Sequence, residues 1–569
     1  MRQEVLLGEE QRAAVAAGLE AWDRESGTER LWRGDATLWT DDGEERWLAW
    51  LRATEADADF LTAAERLARE VAASGFTDFV VLGMGGSSLC PEVLGRTFGS
   101  LPGHPRPHVL DSTAPAQVAE AERRIDPDRT LFVVSSKSGT TLETALLMEH
   151  FRGRLERRLG PEEAARRFVA VTDPGSRLEE IAGEGFRALF HGEPEIGGRF
   201  SALSPFGLVP AAIQGLDVAR LLARGAEMAA ACGPGRGAAA NPGVHLGVVL
   251  GTLGRRGVDK VTLVPSPGIA TLGAWLEQLV AESTGKRGVA LIPVDGEPPA
   301  PVDRYGSDRL FVRLRLGERP EPELDDRVEE LRRAGHPVVS IELRDPYDLA
   351  AEFFRWEVAT AVAGAVLGIN PFDQPDVEAA KVATRALMEV YQRTGSLPAE
   401  RPFLEEGGLA LYADERNAGE LLAAAGPGAD LGAVLDTHLD RLGPGDYFAL
   451  LAWLAMTEEH HVELQAIRAA VLRRGGAATC LGYGPRFLHS TGQAHKGGPD
   501  RGVFLQVTGA RGPELPIPGR GYDLATVLAS QARGDHQVLA ERGRRLLRVD
   551  LGEDPAATLP ELRRRIAGS

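Results

Sequence analysis

The amino-acid sequence predicts an α/β fold with two doubly wound, mostly parallel sheets flanked by helices and an additional C-terminal α/β segment. The main observation is an alternation, in which short apolar runs bounded by turn residues are followed by stretches with helical apolar spacing. Alternating strands and helices favour parallel sheets with helices on both faces. The second observation is the length of 569 residues. Because one hydrophobic core seldom grows to that size, several packed domains are expected.

Three blocks of predicted strands follow one another along the chain. The strands are FVVL before the glycines at 83–86 and residues 107–110, 130–135 and 168–172 in the first block, 259–266, 308–314 and 337–343 in the second, and 446–456, 502–509 and 544–552 in the third. The Ala- and Gly-rich stretch 224–243 is interpreted as a helix end and a loop between the first two blocks.

We therefore divide the chain into four parts. Residues 1–58 are an N-terminal helical layer, 59–222 a first α/β domain, 223–400 a second, and 401–569 the C-terminal α/β segment. The strands of that last part could extend the second sheet or form a small domain. We expect the segment to contribute to the second domain and to the functional site.

The composition excludes several classes of function. A net charge of -18, from 82 acidic and 64 basic residues, disfavours a nucleic-acid partner. No stretch is long and apolar enough for a membrane span, and the N-terminus does not have the pattern of a signal peptide. Cys90, Cys232 and Cys480 show neither metal-ligand nor disulfide spacing. These observations predict a cytoplasmic protein with no membrane partner and no metal.

Two polar turns follow predicted strands and are candidate anion sites. In the first, Gly85, Gly86 and Ser87 lie between a strand and a helix, where backbone amides can approach an anion. The spacing does not fit a dinucleotide-binding motif. A tight structural turn without a ligand is the alternative. The second turn supplies hydroxyls and one cation suited to a phosphate monoester, with a simple helix cap as the alternative. Its candidate residues are Ser135, Lys137, Ser138, Thr140 and Thr141, and Glu143 follows as a further substrate contact.

Three further residues are candidates whose local pattern alone is ambiguous. Arg199 lies among glycines and hydroxyls in GGRFSALS, as an oxyanion contact would, although a lone arginine is more often a surface ion pair. Glu282, in EQLVAESTGK, and Lys381, at the end of INPFDQPDVEAAK, lie on helical patterns where solvent-exposed positions are the usual interpretation.

Taken together, these segments resemble the phosphoglucose isomerase family. The two polar turns resemble the sugar isomerase domain, and the segments 197–208, 277–286 and 368–381 resemble three signature segments in family order. The resemblance implies that Glu282 is the base that moves a proton between C2 and C1 and that Arg199 lies beside the enediolate. It also implies that Lys381 assists opening of the sugar ring. A carboxylate base and a fixed cation suit this chemistry.

The resemblance also calls for a ring-opening histidine, which the family commonly carries in a His-x-x-x-Gln segment before the lysine. Here His489 and Gln493 have that spacing but follow Lys381, and His495 is a rival. This order is similar to that of the isomerase half of bifunctional transaldolase/phosphoglucose isomerases, although a transaldolase half is not recognisable. The family implies a homodimer in which each subunit lends this histidine to its partner.

The function implied by the resemblance is interconversion of glucose 6-phosphate and fructose 6-phosphate through a cis-enediol, in glycolysis and gluconeogenesis, without a cofactor. Gly85, Gly86 and Gln493 are expected to contact the substrate as well. Two alternatives are a non-catalytic sugar-phosphate sensor on the same fold and a dual phosphoglucose/phosphomannose isomerase.

Overall fold

A computed structural model describes residues 2–55 and 57–568. The N-terminal layer contains β1 (Gln3–Leu6), α1 (Glu9–Arg24) and α2 (Gly27–Arg33), followed by three short 3-10 turns. The helices agree with the predicted layer, but β1 was not predicted. Because β1 is four residues long and half polar, its strand character comes from antiparallel pairing with residues 338–341.

The first domain carries a five-stranded, wholly parallel sheet. Its strands run in the order β3-β2-β4-β5-β6. The elements are α3 (Ala58–Ala73), β2 (Asp78–Leu82), α4 (Leu89–Phe98), β3 (Arg106–Leu110), α5 (Pro115–Arg124), β4 (Thr130–Ser135), α6 (Leu142–Leu159), α7 (Pro161–Ala165), β5 (Phe168–Thr172), α8 (Arg177–Ala182), β6 (Ala188–His191) and α9 (Pro205–Gln214). The predicted strands at 130–135 and 168–172 coincide with β4 and β5.

The second domain also has a five-stranded sheet, in the order β1-β10-β9-β7-β8, and all its pairs except β1 with β10 are parallel. The elements are α10 (Val218–Cys232), α11 (Pro242–Arg255), β7 (Lys260–Pro265), α12 (Leu272–Thr284), β8 (Ile292–Val294), β9 (Arg309–Leu316), α13 (Pro322–Arg333), β10 (Val338–Leu343) and α14 (Leu349–Leu367). In the stretch 224–243, which was interpreted as a helix end and a loop, α10 ends at Cys232 and α11 begins at Pro242.

The C-terminal segment forms a third sheet of its own, in the order β11-β12-β16-β15-β13-β14, with four parallel strands and an antiparallel edge. It does not extend the second sheet. The elements are α15 (Val377–Thr394), β11 (Leu404–Glu406), β12 (Leu409–Tyr412), α16 (Glu415–Ala425), α17 (Leu431–Leu439), β13 (Tyr447–Trp453), α18 (Glu458–Gly475), β14 (Ala478–Tyr483), α19 (Gly492–Gly497), β15 (Gly502–Thr508), α20 (Leu524–Glu541), β16 (Arg545–Asp550) and α21 (Pro555–Ala567).

Helix α12 joins the three sheets. Eleven of its thirteen residues are buried, and the buried polar ones are Gln278, Glu282, Ser283 and Thr284. Leu276 and Leu279 belong to the core shared by the first two domains, whereas Ala281 packs with Tyr447 and Ala449 of the third sheet. The last turn of α12 therefore lies where all three domains meet.

Within residues 2–55 and 57–568, no helix combines the length and the apolar content that crossing a membrane requires. The three cysteines are buried and unpaired.

Candidate active site

The candidate site is a cleft at the carboxyl ends of β2, β3 and β4. Open parallel sheets usually bind ligands at this edge. The first domain supplies the two polar turns, the second supplies the last turn of α12, and the third supplies a 3-10 turn, Arg486–His489. All three contributions come from the same chain.

Glu282 and Arg199 form the centre of the cleft. The Arg199 Nη1 atom lies 3.3 Å from Glu282 Oε1, and the two side chains are 2% and 11% exposed. Ser283 accepts a hydrogen bond from Arg199 Nε at 2.7 Å. Burial lowers the pKa of the Arg199 guanidinium, and the negative charge of Glu282 opposes that shift. A carboxylate and a fixed cation thus lie side by side in a largely dry environment.

Arg199 also holds the segment 371–374 over the end of α12. Its Nη2 atom donates to the carbonyls of Pro371 at 2.7 Å and Asp373 at 2.9 Å, and its Nη1 atom donates to Gln374 Oε1 at 2.9 Å. Because the planar guanidinium has several donors in fixed directions, one side chain can fix this segment and still face Glu282. The arginine is therefore part of the scaffold as well as of the cleft.

Gln278 links Glu282 to the turn that carries His489. It lies one helical turn before Glu282, and its amide nitrogen donates to Glu282 Oε2 at 3.0 Å and to the carbonyl of His489 at 2.8 Å. These two bonds place the backbone of His489 within a few ångströms of the Glu282 carboxylate.

The His489 side chain points to a buried carboxylate of the first domain. Its Nε2 atom lies 3.0 Å from Glu143 Oε1, which also accepts from Gln531 at 2.6 Å. Gln531 in turn accepts from Thr113 at 3.0 Å. Burial alone would raise the pKa of Glu143, but the charge and hydrogen bond of His489, together with a backbone hydrogen bond and that of Gln531, outweigh burial and lower it. An ionised Glu143 therefore orients the imidazole.

A second buried ion cluster attaches the histidine turn to the first domain. Arg486 donates to Asp111 Oδ1 at 2.9 Å and lies 2.8 Å from a Glu92 oxygen. Asp111 directly follows β3 and also accepts from Ser88 at 3.2 Å. The turn Arg486–His489 is thus fixed at both ends, which defines the position of His489 within its own chain.

The glycine turn at the end of β2 is packed too tightly for larger residues. A Cβ atom on Gly86 would lie 1.8 Å from the carbonyl oxygen of Gly198, and one on Gly85 would lie 2.6 Å from the Gln278 amide nitrogen. Gly85 also has a φ of +55°, which favours glycine. These two glycines let the first domain approach the Arg199 loop and Gln278, so their close packing has a structural reason.

The hydroxyl turn precedes α6. The Ser138 and Thr140 hydroxyls lie 2.8 Å apart, and that of Ser136 donates to Thr141 at 3.2 Å. The Ser135 hydroxyl is buried and has no hydrogen-bond partner among the described residues. A cavity of about 170 Å³ next to this turn is lined in part by Ser136, Thr140 and Thr141. The turn offers hydroxyl donors next to the positive end of a helix.

Lys137, the cation predicted to contact the phosphate, is paired with other groups of the protein. Lys137 Nζ lies 2.8 Å from Asp173 Oδ1 and donates to the carbonyl of Glu193 at 2.9 Å. Burial lowers its pKa, and Asp173 opposes the shift. Asp173 follows β5, the neighbour of β4, so it directly faces the lysine. The prediction that Lys137 contacts phosphate is therefore not supported by this geometry.

Lys381 and Gln493 also lie away from the residues that contact Glu282. In α15 the residues Ala380 and Thr384 face inward, so Lys381 is turned outward, 52% exposed and 3.6 Å from Glu378. Gln493 is fully buried, and its amide bonds the carbonyl of Gly285 and both the backbone and side chain of Asp376. The structure thus gives Gln493 a positioning role in place of the predicted substrate contact.

The rival histidine is unsuited to proton transfer at the cleft. His495 is buried against Tyr447, whose hydroxyl lies 3.0 Å from its Nδ1 atom. Burial lowers the pKa of His495 to about 3, so it stays neutral. Gln278 and Arg486, by contrast, are contributors that the sequence patterns did not single out. For Gln278, the i, i+4 spacing to Glu282 was an available signal.

The chain is similar in sequence to proteins named phosphoglucose isomerase or glucose-6-phosphate isomerase. A family model described as phosphoglucose isomerase matches residues 67–289. A glucose-6-phosphate isomerase of Rubrobacter xylanophilus is 35% identical over 381 residues, covering 58% of this chain and 87% of the relative. One from Thermus thermophilus is 33% identical over 357 residues, covering 54% and 83% of the respective chains.

Solved structures agree in fold. A hypothetical protein from Thermus thermophilus superimposes with a TM-score of 0.59 at 26% identity, covering 68% of this chain and 99% of the other. A glucose-6-phosphate isomerase from Chlamydia trachomatis gives 0.54 at 21% identity, covering 68% and 87%, which indicates a shared fold.

Proposed function

The chain belongs to the phosphoglucose isomerase family, and we propose that it interconverts glucose 6-phosphate and fructose 6-phosphate. The observation that carries this proposal is the 3.3 Å pair of Glu282 and Arg199 beside the His489 turn. An aldose–ketose isomerisation needs a base next to two adjacent carbons and a cation for the oxyanion that forms. This pair has the required chemistry.

Substrate binding is assigned to the two polar turns of the first domain. The phosphate is held by hydroxyls and amides of the turn that precedes α6, chiefly those of Ser138, Thr140 and Thr141, with the α6 N-terminus adding its partial positive charge. Ser87 lies on the neighbouring glycine turn and completes the pocket for the sugar phosphate.

Ring opening is assigned to His489. The protonated imidazole, oriented by Glu143, donates a proton to the ring oxygen as the C1–O5 bond breaks, and the O1 hydroxyl loses its proton to water, giving the open-chain aldehyde. We assign this step to His489 alone, because the Lys381 side chain is turned outward and 52% exposed.

Isomerisation follows at the open chain. Glu282 removes the proton from C2, the electron pair forms the C1–C2 double bond, and the aldehyde oxygen becomes an enediolate beside Arg199. The proton of the O2 hydroxyl moves to O1, and Glu282 then returns its proton to C1 as the C2–O2 bond becomes a carbonyl, which yields the ketose. Gln278, which donates to Glu282 Oε2, keeps the carboxylate in position for both transfers.

Three finer features belong to the same proposal. The similarity to the isomerase half of bifunctional transaldolase/phosphoglucose isomerases is proposed from the segment LHSTGQAHKGGP, which follows INPFDQP, and from RLWRGDATLWT near the start. A cytoplasmic location is supported by three buried, unpaired cysteines. A homodimer is proposed from the family resemblance alone. The position of His489 does not add support for a dimer, because this histidine lies beside Glu143 and Gln278 of its own chain.

The purified protein is expected to convert fructose 6-phosphate to glucose 6-phosphate with a kcat of about 1–10³ s⁻¹. Glucose 6-phosphate formation is followed by coupling to a dehydrogenase, with a Glu282→Gln preparation as the control for contaminating host isomerase. Binding of fructose 6-phosphate without turnover would instead identify a sensor. Comparable turnover of mannose 6-phosphate in the same assay would identify a dual isomerase.

A further inference from the structure

A buried lysine next to the Arg199 and Glu282 pair takes no part in the steps described above. Lys286 lies two residues beyond the end of α12, and its side chain is 3% exposed. Its Nζ atom donates to the carbonyl of Asn370 at 2.6 Å and to the carbonyl of Asp373. Asp373 Oδ1 lies 2.7 Å from the same atom. The ammonium group is thus surrounded by one short segment that is distant in sequence.

Lys286 and Arg199 bind that segment together. The carbonyl of Asp373 accepts from both cations, the carbonyl of Asn370 accepts from Lys286, and the carbonyl of Pro371 accepts from Arg199. Two buried cations that share an acceptor repel each other. Packing alone does not explain this arrangement, because an apolar side chain of similar length would fill the space without the desolvation cost.

We propose that Lys286 is a further positioning residue for the isomerisation, which holds the 370–374 segment and, through it, Arg199 in register with the Glu282 carboxylate. This inference rests on the proposed function. The Arg199 guanidinium contacts this segment and also contacts Glu282 and Ser283. If the segment moves, the guanidinium moves with it. The cation would then no longer lie at the oxygen where negative charge develops, and such misplacement is costly to catalysis.

The charge of Lys286 is sensitive to its surroundings. Burial lowers its pKa to about 7, and the neighbouring Arg199 guanidinium adds to that shift. Asp373 and Glu282 are the charged groups that oppose it. With a lowered pKa, the lysine is charged at lower pH and becomes neutral as the pH rises through that value. Its hydrogen bonds and its ion pair with the 370–374 segment should therefore weaken from pH 6 to pH 8.5.

The test is Lys286→Met, assayed for kcat and KM at pH 6 and pH 8.5 in parallel with the wild type. We expect kcat to fall at least about ten-fold at pH 6, with KM changed less than about three-fold, because the phosphate turn is a separate part of the cleft. The deficit should be smaller at pH 8.5, where the wild-type lysine has also lost its charge. A purely structural role would produce a deficit independent of pH.

Lys260 provides a matched control. It is equally buried and paired, with Asp259 at 2.7 Å, but it lies at the amino end of β7, away from the cleft. Lys260→Met should lower the melting temperature and leave kcat unchanged. If Lys286→Met does not fold, Lys286→Gln is measured instead. A variant within two-fold of wild-type kcat at pH 6, a pH-independent deficit, or a defect confined to KM would overturn the inference. Inactive wild-type protein would overturn the proposed function itself.

Discussion

Replacing Glu282 with glutamine is expected to lower kcat by roughly 10²- to 10⁴-fold, the usual contribution of a general base. Glutamine keeps the size of the side chain and can still hydrogen bond, but it cannot accept the C2 proton. The phosphate turn is untouched, so the substrate should still bind. The measurement is steady-state kinetics with fructose 6-phosphate, together with calorimetric titration of the same ligand.

The control for this substitution is Glu357→Gln in α14. Burial raises the pKa of Glu357 well above its usual range, so a neutral glutamine resembles the native state. Its kcat should equal that of the wild type. Near-native turnover of Glu282→Gln would refute the role of Glu282, and loss of ligand binding would show that the residue serves binding instead.

The second large effect is expected from His489→Ala, and it also tests whether one chain completes the site. Because His489 transfers the ring-opening proton, its removal should lower kcat by roughly 10²- to 10⁴-fold. In this structure the His489 carbonyl and Glu282 share the Gln278 amide within one chain. Mixing the His489→Ala and Glu282→Gln proteins should therefore restore no activity, since every cleft lacks one of the two groups.

The mixture is prepared by co-unfolding and co-refolding so that any subunits can exchange, with co-refolded wild type as the control for recovery. If each histidine served a partner subunit, a mixed dimer would contain one cleft with both native residues. Activity well above that of the separate variants would therefore contradict completion of the site within one chain.

The pattern of the sequence was sufficient for the main layers of the fold. Strands such as β4 and β5 are continuous apolar runs bounded by turns, so local composition locates them. The short edge strand β1 lacks such a signal because its pairing with β10 defines it. Likewise, local patterns could not show that the C-terminal strands form a separate sheet, since sheet membership is decided by long-range pairing.

The candidate site was only partly accessible from the sequence. Arg199, Glu282 and His489 lie in recognisable segments, and the structure brings them to one cleft. Lys137 and Lys381 have the expected residue types, but the facing partners Asp173 and Glu378 decide where their charges lie.

Other features of the site depend wholly on tertiary contacts. Arg486 is anchored by Asp111, which is 375 positions away in the chain. Gln493 has the spacing expected of a substrate contact, but its amide is used by Gly285 and Asp376. Partners this distant in sequence leave no local pattern, so neither role could be predicted.

The most direct test of the account is isomerisation of glucose 6-phosphate in ²H₂O, followed by nuclear magnetic resonance. A proton that passes through the Glu282 carboxylate can exchange with solvent, so we predict deuterium at C1 of the fructose 6-phosphate formed and at C2 of recovered glucose 6-phosphate. The Glu282→Gln protein should give neither product nor exchange. Fructose 6-phosphate formed by the wild type without any deuterium would contradict the account, because the hydrogen would then have moved directly between the two carbons.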